Sequence, residues 1–81
     1  MYYFYTLISM KDKEYYYGST TDLKRRVIGH NIGKVTATQY RRPLRLTYYE
    51  AYESLDKARL REQQVKSSGS IRVALHKRIK S

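Results

Sequence analysis

The chain opens on Tyr2 to Ile8 (YYFYTLI), an unbroken run of aromatic and β-branched positions that predicts a strand buried on at least one face. Ser9 to Lys13 reads as a turn. Glu14 to Tyr17 follows as a shorter aromatic strand, folding back on the first as a hairpin and ending at Gly18. The period then changes: Leu23, Val27 and His30 recur at helical spacing before Gly33. This predicts a helix of about ten residues capped by Thr20 or Thr21, with Asp22 in its first turn. Asn31 to Pro43 shows neither period and reads as a loop whose length suggests function. Leu44 to Tyr52 alternates as a third strand, with Leu44, Leu46, Tyr48 and Glu50 on one face and Arg45, Thr47, Tyr49 and Ala51 on the other. Ser54 is placed to cap a helix from Leu55 to Lys66, on which Leu55, Ala58, Glu62 and Val65 share a face, and Ser67-Ser68-Gly69 ends it. Ile71, Leu75 and Ile79 mark a last, basic helix. The order strand, strand, helix, strand, helix, helix, without repeat or linker, predicts one α+β domain over 1–81 with a small, mainly antiparallel sheet.

Composition narrows the chemistry. At 81 residues the chain holds one modest core, and a multidomain enzyme is excluded. The absence of cysteine rules out disulfides, thiolate zinc sites and a cysteine nucleophile, and fits a reducing, cytoplasmic setting. No apolar run approaches the roughly 20 residues that cross a bilayer, and the N-terminus has no signal-peptide pattern, so no membrane association is expected. With 41% hydrophobic and 14% aromatic residues, the chain can still build a core.

Charge is the strongest compositional signal. Seventeen Lys+Arg against seven Asp+Glu give +10, beyond the ~2 to 8 ordinary for a small soluble domain. The excess is clustered. From Asp22 to Leu46 lie seven basic residues (Lys24, Arg25, Arg26, Lys34, Arg41, Arg42, Arg45) against one acid, and after Glu62 there are five basic residues and no acid. The two blocks are expected to border one face and to bind nucleic acid.

Three sets of polar residues fall where the periodicity points inward. Glu62 lies between Ala58 and Val65 on its helix stripe, where an unpaired carboxylate is costly; Lys66, one turn on, could pair with it. Arg26 and His30 flank Leu23 and Val27, and a guanidinium there could clamp a phosphate. His30 could transfer protons or simply cap the helix end electrostatically. The third set is tyrosine, ten of 81 residues, mostly filler but able to act as acid, base or water ligand. There is no phosphate-binding glycine loop, HExxH or GxSxG motif, and no second acid follows Asp56 to join Glu62 in a two-carboxylate metal cluster.

These residues form a pattern that resembles the GIY-YIG nuclease family, especially its small standalone bacterial members, over nearly the whole chain. Tyr3-Phe4-Tyr5 corresponds to the first signature and Tyr16-Tyr17-Gly18 to the second. Arg26, His30 and Glu62 follow in order. Tyr3 and Phe4 stand where the family has glycine and isoleucine, and Tyr17 where it has an apolar residue. The resemblance implies a three-stranded antiparallel sheet flanked by helices, and hydrolysis of DNA phosphodiesters with one Mg²⁺ or Mn²⁺ ion. It makes Tyr5, Tyr16, Arg26, His30 and Glu62 catalytic, with Glu62 the metal ligand. Arg26 would hold a nonbridging oxygen, Tyr5 with His30 would take the proton of the attacking water, and Tyr16 would position it. Lys24, Arg25, Lys34, Arg41, Arg42, Arg45 and Lys66 are expected to contact the DNA.

The expected partner is therefore duplex DNA, branched or flapped where structure directs cleavage, or DNA delivered by a targeting protein, since the chain holds no sequence-reading module. Repair, mobile-element and defence roles stay open. Two alternatives stand beside the endonuclease: a noncatalytic nucleic-acid-binding module derived from a nuclease domain, and an RNA-associated protein with tyrosines such as Tyr40 stacking on unpaired bases.

Overall fold

Four consecutive residues of the first strand, Phe4 to Leu7, are wholly buried, which is possible only if both faces of that strand are covered. A computed structural model, describing all residues 1–81, shows how. The elements are β1 (Tyr2–Ser9), β2 (Tyr15–Thr20), α1 (Leu23–Asn31), β3 (Leu44–Tyr52), α2 (Leu55–Ser67) and α3 (Gly69–Lys80). The sheet is antiparallel in the order β2-β1-β3, so the most apolar strand is central, and the expected α+β architecture and element order are present. No helix is long and apolar enough to cross a membrane.

Because successive side chains alternate across a strand, β1 feeds two separate cores. Phe4 packs with Val65 of α2 and Leu75 of α3, bordered by Tyr17, Tyr48, Tyr52, Ile71 and Ile79. Tyr5 and Leu7 pack on the opposite face with Leu44, under Leu23 and Val27 of α1 and beside Tyr16 and Leu46.

Three local expectations need correction. The register slips between Thr6 and Leu7: Thr6 pairs with Tyr48 but Leu7 with Leu46, leaving Thr47 as the extra residue of a bulge. Leu44 and Leu46 therefore side with α1, whereas Tyr48 and Tyr52 join the core under α2 and α3. A strict alternation through β3 had put Leu44, Leu46 and Tyr48 together. The second correction concerns Gly18, which does not end β2. It lies opposite Tyr5, and a Cβ there would sit 2.5 Å from the Tyr5 ring, so the glycine is the slot that admits that ring.

The third correction is at the helix starts. Asp22, not a threonine, caps α1: its carboxylate accepts from the Arg25 N–H at 3.1 Å, and Thr20 Oγ1 braces the turn by accepting from the Asp22 N–H at 3.2 Å. α3 begins at Gly69, earlier than Ile71, because the Ser68 hydroxyl accepts from the Ile71 N–H and caps it. Ser54 caps α2 as expected.

The segment from Ile32 to Pro43 is tied down at several points. Gly33 ends α1 at φ +83°, and the Lys34 N–H returns to the Gly29 carbonyl at 3.0 Å. Further along, Ser9 Oγ donates to the Arg41 carbonyl at 2.6 Å and the Met10 N–H to the Pro43 carbonyl at 2.8 Å. The Asn31 amide exchanges two bonds with the Leu44 backbone, at 2.7 and 2.8 Å. The two basic blocks do not share a face: α1 and this segment carry the first, and α3 beyond the opposite side of the sheet carries most of the second.

Candidate active site

Tyr5 comes from β1, its ring seated in the slot at Gly18 of β2, and Arg26 and His30 come from α1. Leu23 and Val27 anchor α1 on the sheet, which turns Arg26 and His30 toward β1 one turn apart. Arg26 Nε donates to the Tyr5 hydroxyl at 3.3 Å, and the same hydroxyl lies 2.9 Å from His30 Nε2. His30 Nδ1 is 2.8 Å from Thr38 Oγ1. The result is one hydrogen-bonded row, Arg26-Tyr5-His30-Thr38, in which the last three residues have no exposed surface and the guanidinium reaches solvent. Tyr16 adds its ring against His30, with centroids 5.0 Å apart at a near-perpendicular angle, and is itself half-buried.

Burial sets the protonation of this row. It pushes the Tyr5 phenol up to about 12, against the pull of the Arg26 hydrogen bond. Burial, helped by the nearby Arg26 charge, also pushes His30 down to about 4. At neutral pH the row therefore holds a neutral phenol, a neutral imidazole and one cation at its outer end.

Glu62 stands across β2. On α2 it is half-buried, between Ala58 and Val65 as its spacing predicts, and both carboxylate oxygens have partners. The Ser19 hydroxyl donates to Oε1 at 2.6 Å, and Lys66 Nζ to Oε2 at 2.6 Å. The Lys66 pair foreseen from the sequence is thus formed. Lys66 also places its ammonium 5.9 Å from the centre of the Tyr16 ring, which makes Glu62, Tyr16 and the buried row contiguous. Glu62 opens on a polar cleft of about 510 Å³ lined by Ser19, Arg59, Glu62, Gln63, Lys66 and Ser67.

No three His, Cys, Asp or Glu side chains converge anywhere in the chain, so Glu62 would hold a cation without a multi-ligand protein cage and leave most positions around it to water. That set suits a hard, strongly hydrated divalent ion, which keeps several waters and needs only one or two carboxylates. The Ser19 hydroxyl is a further oxygen at hand. Lys66 must first move aside, and its half-exposed side chain can do so.

The basic residues divide. Arg25 and Lys34 line a trough of about 430 Å³ with Arg26, against Thr20, Thr21 and the exposed side of α1. Lys24 lies instead on an apolar groove between α1, Tyr3, Leu46 and Tyr49. Arg41 is committed to Asp12 at 2.8 Å and to the Tyr15 carbonyl. Arg42 folds back, donating to the Gln39 carbonyl at 2.7 Å. Arg45 borders a different cleft, with Tyr15, Ile79 and Lys80. Three residues of the site carried no expectation. Arg59 lies one turn before Glu62 on the same helix face, so periodicity could have found it; Ser19 faces the opposite side of β2 from Tyr16, and Thr38 lies inside an irregular segment, so neither left such a signal.

A small α+β domain that sets two tyrosines, an arginine and a histidine beside a helix glutamate has the architecture of a nuclease domain. The family model of the GIY-YIG catalytic domain matches residues 1–70, and the chain belongs to that family. Its nucleases generally use a divalent metal. A UPF0213 protein of Streptococcus pyogenes serotype M5 is 45% identical over 53 residues, covering 64% of this chain and 58% of that protein. A second, from serotype M3, is 50% identical over 48 residues, 58% of this chain and 52% of the relative. The matched stretch thus spans little more than half the length of these relatives. The solution NMR structure of the UPF0213 protein BH0048 from Bacillus halodurans superposes with a TM-score of 0.56 at 33% identity, covering 95% of this chain and 84% of that one.

Proposed function

We propose that the chain is an endonuclease that hydrolyses DNA phosphodiesters with one Mg²⁺ or Mn²⁺ ion held by Glu62. The observation that carries this reading is the continuity of Arg26, Tyr5, His30, Tyr16, Lys66 and Glu62 along the β1-β2 side of the sheet. It supplies fixed positive charge, a phenol and a carboxylate around one surface. Hydrolysis of a phosphodiester needs those groups, because attack by water builds negative charge on the phosphoryl and leaving oxygens.

Arg26 spends Nε on Tyr5 and has Tyr16 beside it, and its exposed guanidinium end can still reach a nonbridging phosphate oxygen. The Tyr5 phenol, enclosed and held protonated by burial, orients that guanidinium instead of meeting water. This favours exchanging the roles first expected of the two tyrosines: Tyr16, which reaches the surface, takes the proton of the attacking water, and Tyr5 positions. Water oxygen bonds to phosphorus, the bond to the leaving oxygen breaks, and solvent protonates that oxygen. When bound at Glu62, a divalent ion supplies positive charge for the phosphate and leaving oxygens. Arg25 and Lys34 extend the cationic trough for the flanking phosphates. Duplex DNA, with flaps or junctions as preferred forms, is the proposed substrate.

A noncatalytic DNA-binding module is the second reading, favoured by the full engagement of both Glu62 oxygens. Both readings predict binding that weakens with salt, so metal dependence separates them. Nicking of supercoiled plasmid in Mg²⁺ and in EDTA, with wild type, Arg26→Ala and Glu62→Ala, is the test. The nuclease reading expects cleavage that stops in EDTA and in both variants. Binding without cleavage of plasmid, flap or junction would install the second reading.

A further inference from the structure

Thr38 is an unusual residue to bury completely in an irregular segment, because its hydroxyl needs a partner there. Its backbone is held on both sides: its N–H donates to the Val35 carbonyl at 3.1 Å, and its carbonyl accepts from the Arg41 N–H at 2.9 Å. Arg41 is in turn fixed by Asp12 through its side chain and by Ser9 through its carbonyl. The hydroxyl is therefore presented to His30 Nδ1 by a braced backbone, on the far side of the imidazole from Tyr5.

Proton counting, with donor strength, favours one form of this contact. A guanidinium can only donate, so the Tyr5 oxygen is already accepting from Arg26 Nε, and its own proton is free for the remaining neighbour, His30 Nε2. A neutral imidazole that accepts at Nε2 must carry its proton on Nδ1, and the one partner recorded there is Thr38 Oγ1. Each tautomer leaves one buried hydroxyl proton unpaired, that of Thr38 in this form and that of Tyr5 in the opposite one. The phenol is the stronger donor, and in the opposite form its oxygen would also face two donors, Arg26 and His30, so the Nδ1–H form is the favoured one.

We propose that Thr38 is a positioning residue: its hydroxyl oxygen holds the His30 proton on Nδ1, and thereby keeps Nε2 bare to orient the Tyr5 phenol under Arg26. The part played in cleavage rests on the nuclease reading of the same site; the tautomer itself does not. The segment between α1 and β3 thus serves the site from inside, through one hydroxyl, besides whatever contacts its outer arginines make.

The test reads the imidazole nitrogens of His30 by long-range proton–nitrogen correlation at neutral pH in uniformly ¹⁵N-labelled full-length protein, with a His76→Gln sample to assign the signals. Wild type is expected to show the Nδ1–H form. Thr38→Val, nearly the same shape without the hydroxyl, is expected to shift His30 toward Nε2–H, and Thr38→Ser to restore the wild-type spectrum. In cleavage, Thr38→Val should lower kcat about 10- to 100-fold with KM unchanged, as loss of a partner that orients a functional imidazole does, and Thr38→Ser should recover it. An Nε2–H tautomer in wild type overturns the proposal, and it needs no variant to fold. So does a Thr38→Val protein that keeps both the tautomer and kcat. If wild type shows Nδ1–H and the valine variant loses it, but neither cleaves DNA, the assignment of Thr38 is supported and the nuclease reading alone fails.

Discussion

Glu50 and Glu62 are both half-buried carboxylates on the side of the sheet covered by α2 and α3, yet their surroundings differ in a way that separates structure from chemistry. Glu50 receives four donors: Tyr48 Oη and Tyr52 Oη, each at 2.6 Å, and Arg61 through two nitrogens at 2.9 and 3.2 Å. Arg61 is itself pinned over the Phe4 ring, 5.7 Å from its centre, so this carboxylate is tied to the apolar core. Glu62 receives two donors, one of them a flexible surface lysine, and it opens on a cleft. A carboxylate with every lone pair engaged by buried or stacked groups is a fixture. One whose partner can swing into solvent remains able to take a cation.

Breaking the two sites should therefore give opposite phenotypes. The largest effect expected is on cleavage: Glu62→Ala should lower it by ~10³-fold, the scale of removing a group that stabilises transition-state charge, while urea melts stay close to wild type. Glu50→Ala should do the reverse. It strands Arg61 and two phenols and is expected to cost about 3 kcal/mol in urea unfolding, with cleavage falling only as the folded fraction falls. Equal loss of stability in the two variants would remove the distinction. Next in size, Arg26→Lys should reduce kcat by about 10²-fold without a matching loss of stability, because an ammonium cannot bond Tyr5 and clamp a phosphate in one plane.

Acid sharpens the contrast further. Folding depresses His30 from 6.5 to about 4, so the unfolded chain binds the proton more readily. The stability tied to neutral His30 is complete above pH 6.5 and is lost as pH falls from there to about 4, by about 3 kcal/mol. Glu50 acts lower on the scale. Burial raises it, but the bonds from Tyr48, Tyr52 and Arg61 outweigh burial and leave it below the usual 4.5, so its contribution is present above that value and disappears as pH drops beneath it. Urea midpoints against pH should show both steps, and the upper one should vanish in His30→Gln. The smallest effect concerns Lys66. Lys66→Met frees one Glu62 oxygen and should tighten Mn²⁺ binding a few-fold, while stability changes by no more than about 0.5 kcal/mol, as for other helix pairs one turn apart.

Much of this was legible in the chain. The element order followed from apolar spacing, Arg26, His30 and Glu62 stood out because periodicity pointed polar groups inward, and Lys66 as a partner one turn from Glu62. Tyr5 was singled out among the tyrosines only by the resemblance to the family. The failures have physical causes. The bulge at Thr47 adds a residue to one strand only, and strand periodicity carries no record of such an insertion. Asp22 displaced the threonines as cap because cap choice depends on the exact exit of β2, which runs on to Thr20. Arg41 counted toward a DNA-binding face until the fold put Asp12 beside it, a pairing 29 residues apart in sequence. Thr38 was invisible because its importance lies wholly in what stands opposite its hydroxyl.

The slot at Gly18 has a consequence for how such a chain can change. Tyr5 and any side chain at position 18 would claim the same volume, so the two signature segments are not free to vary one at a time. Removing only the phenol oxygen does not release the lock, since the ring carbon Cζ is already 2.5 Å from where a methyl would sit. Gly18→Ala should be tolerated only together with a smaller residue at position 5, which dismantles the row that holds Arg26 and His30. The geometry of the row and backbone packing are thus inherited as one unit, and substitutions on this pair should show epistasis where their separate effects would predict none.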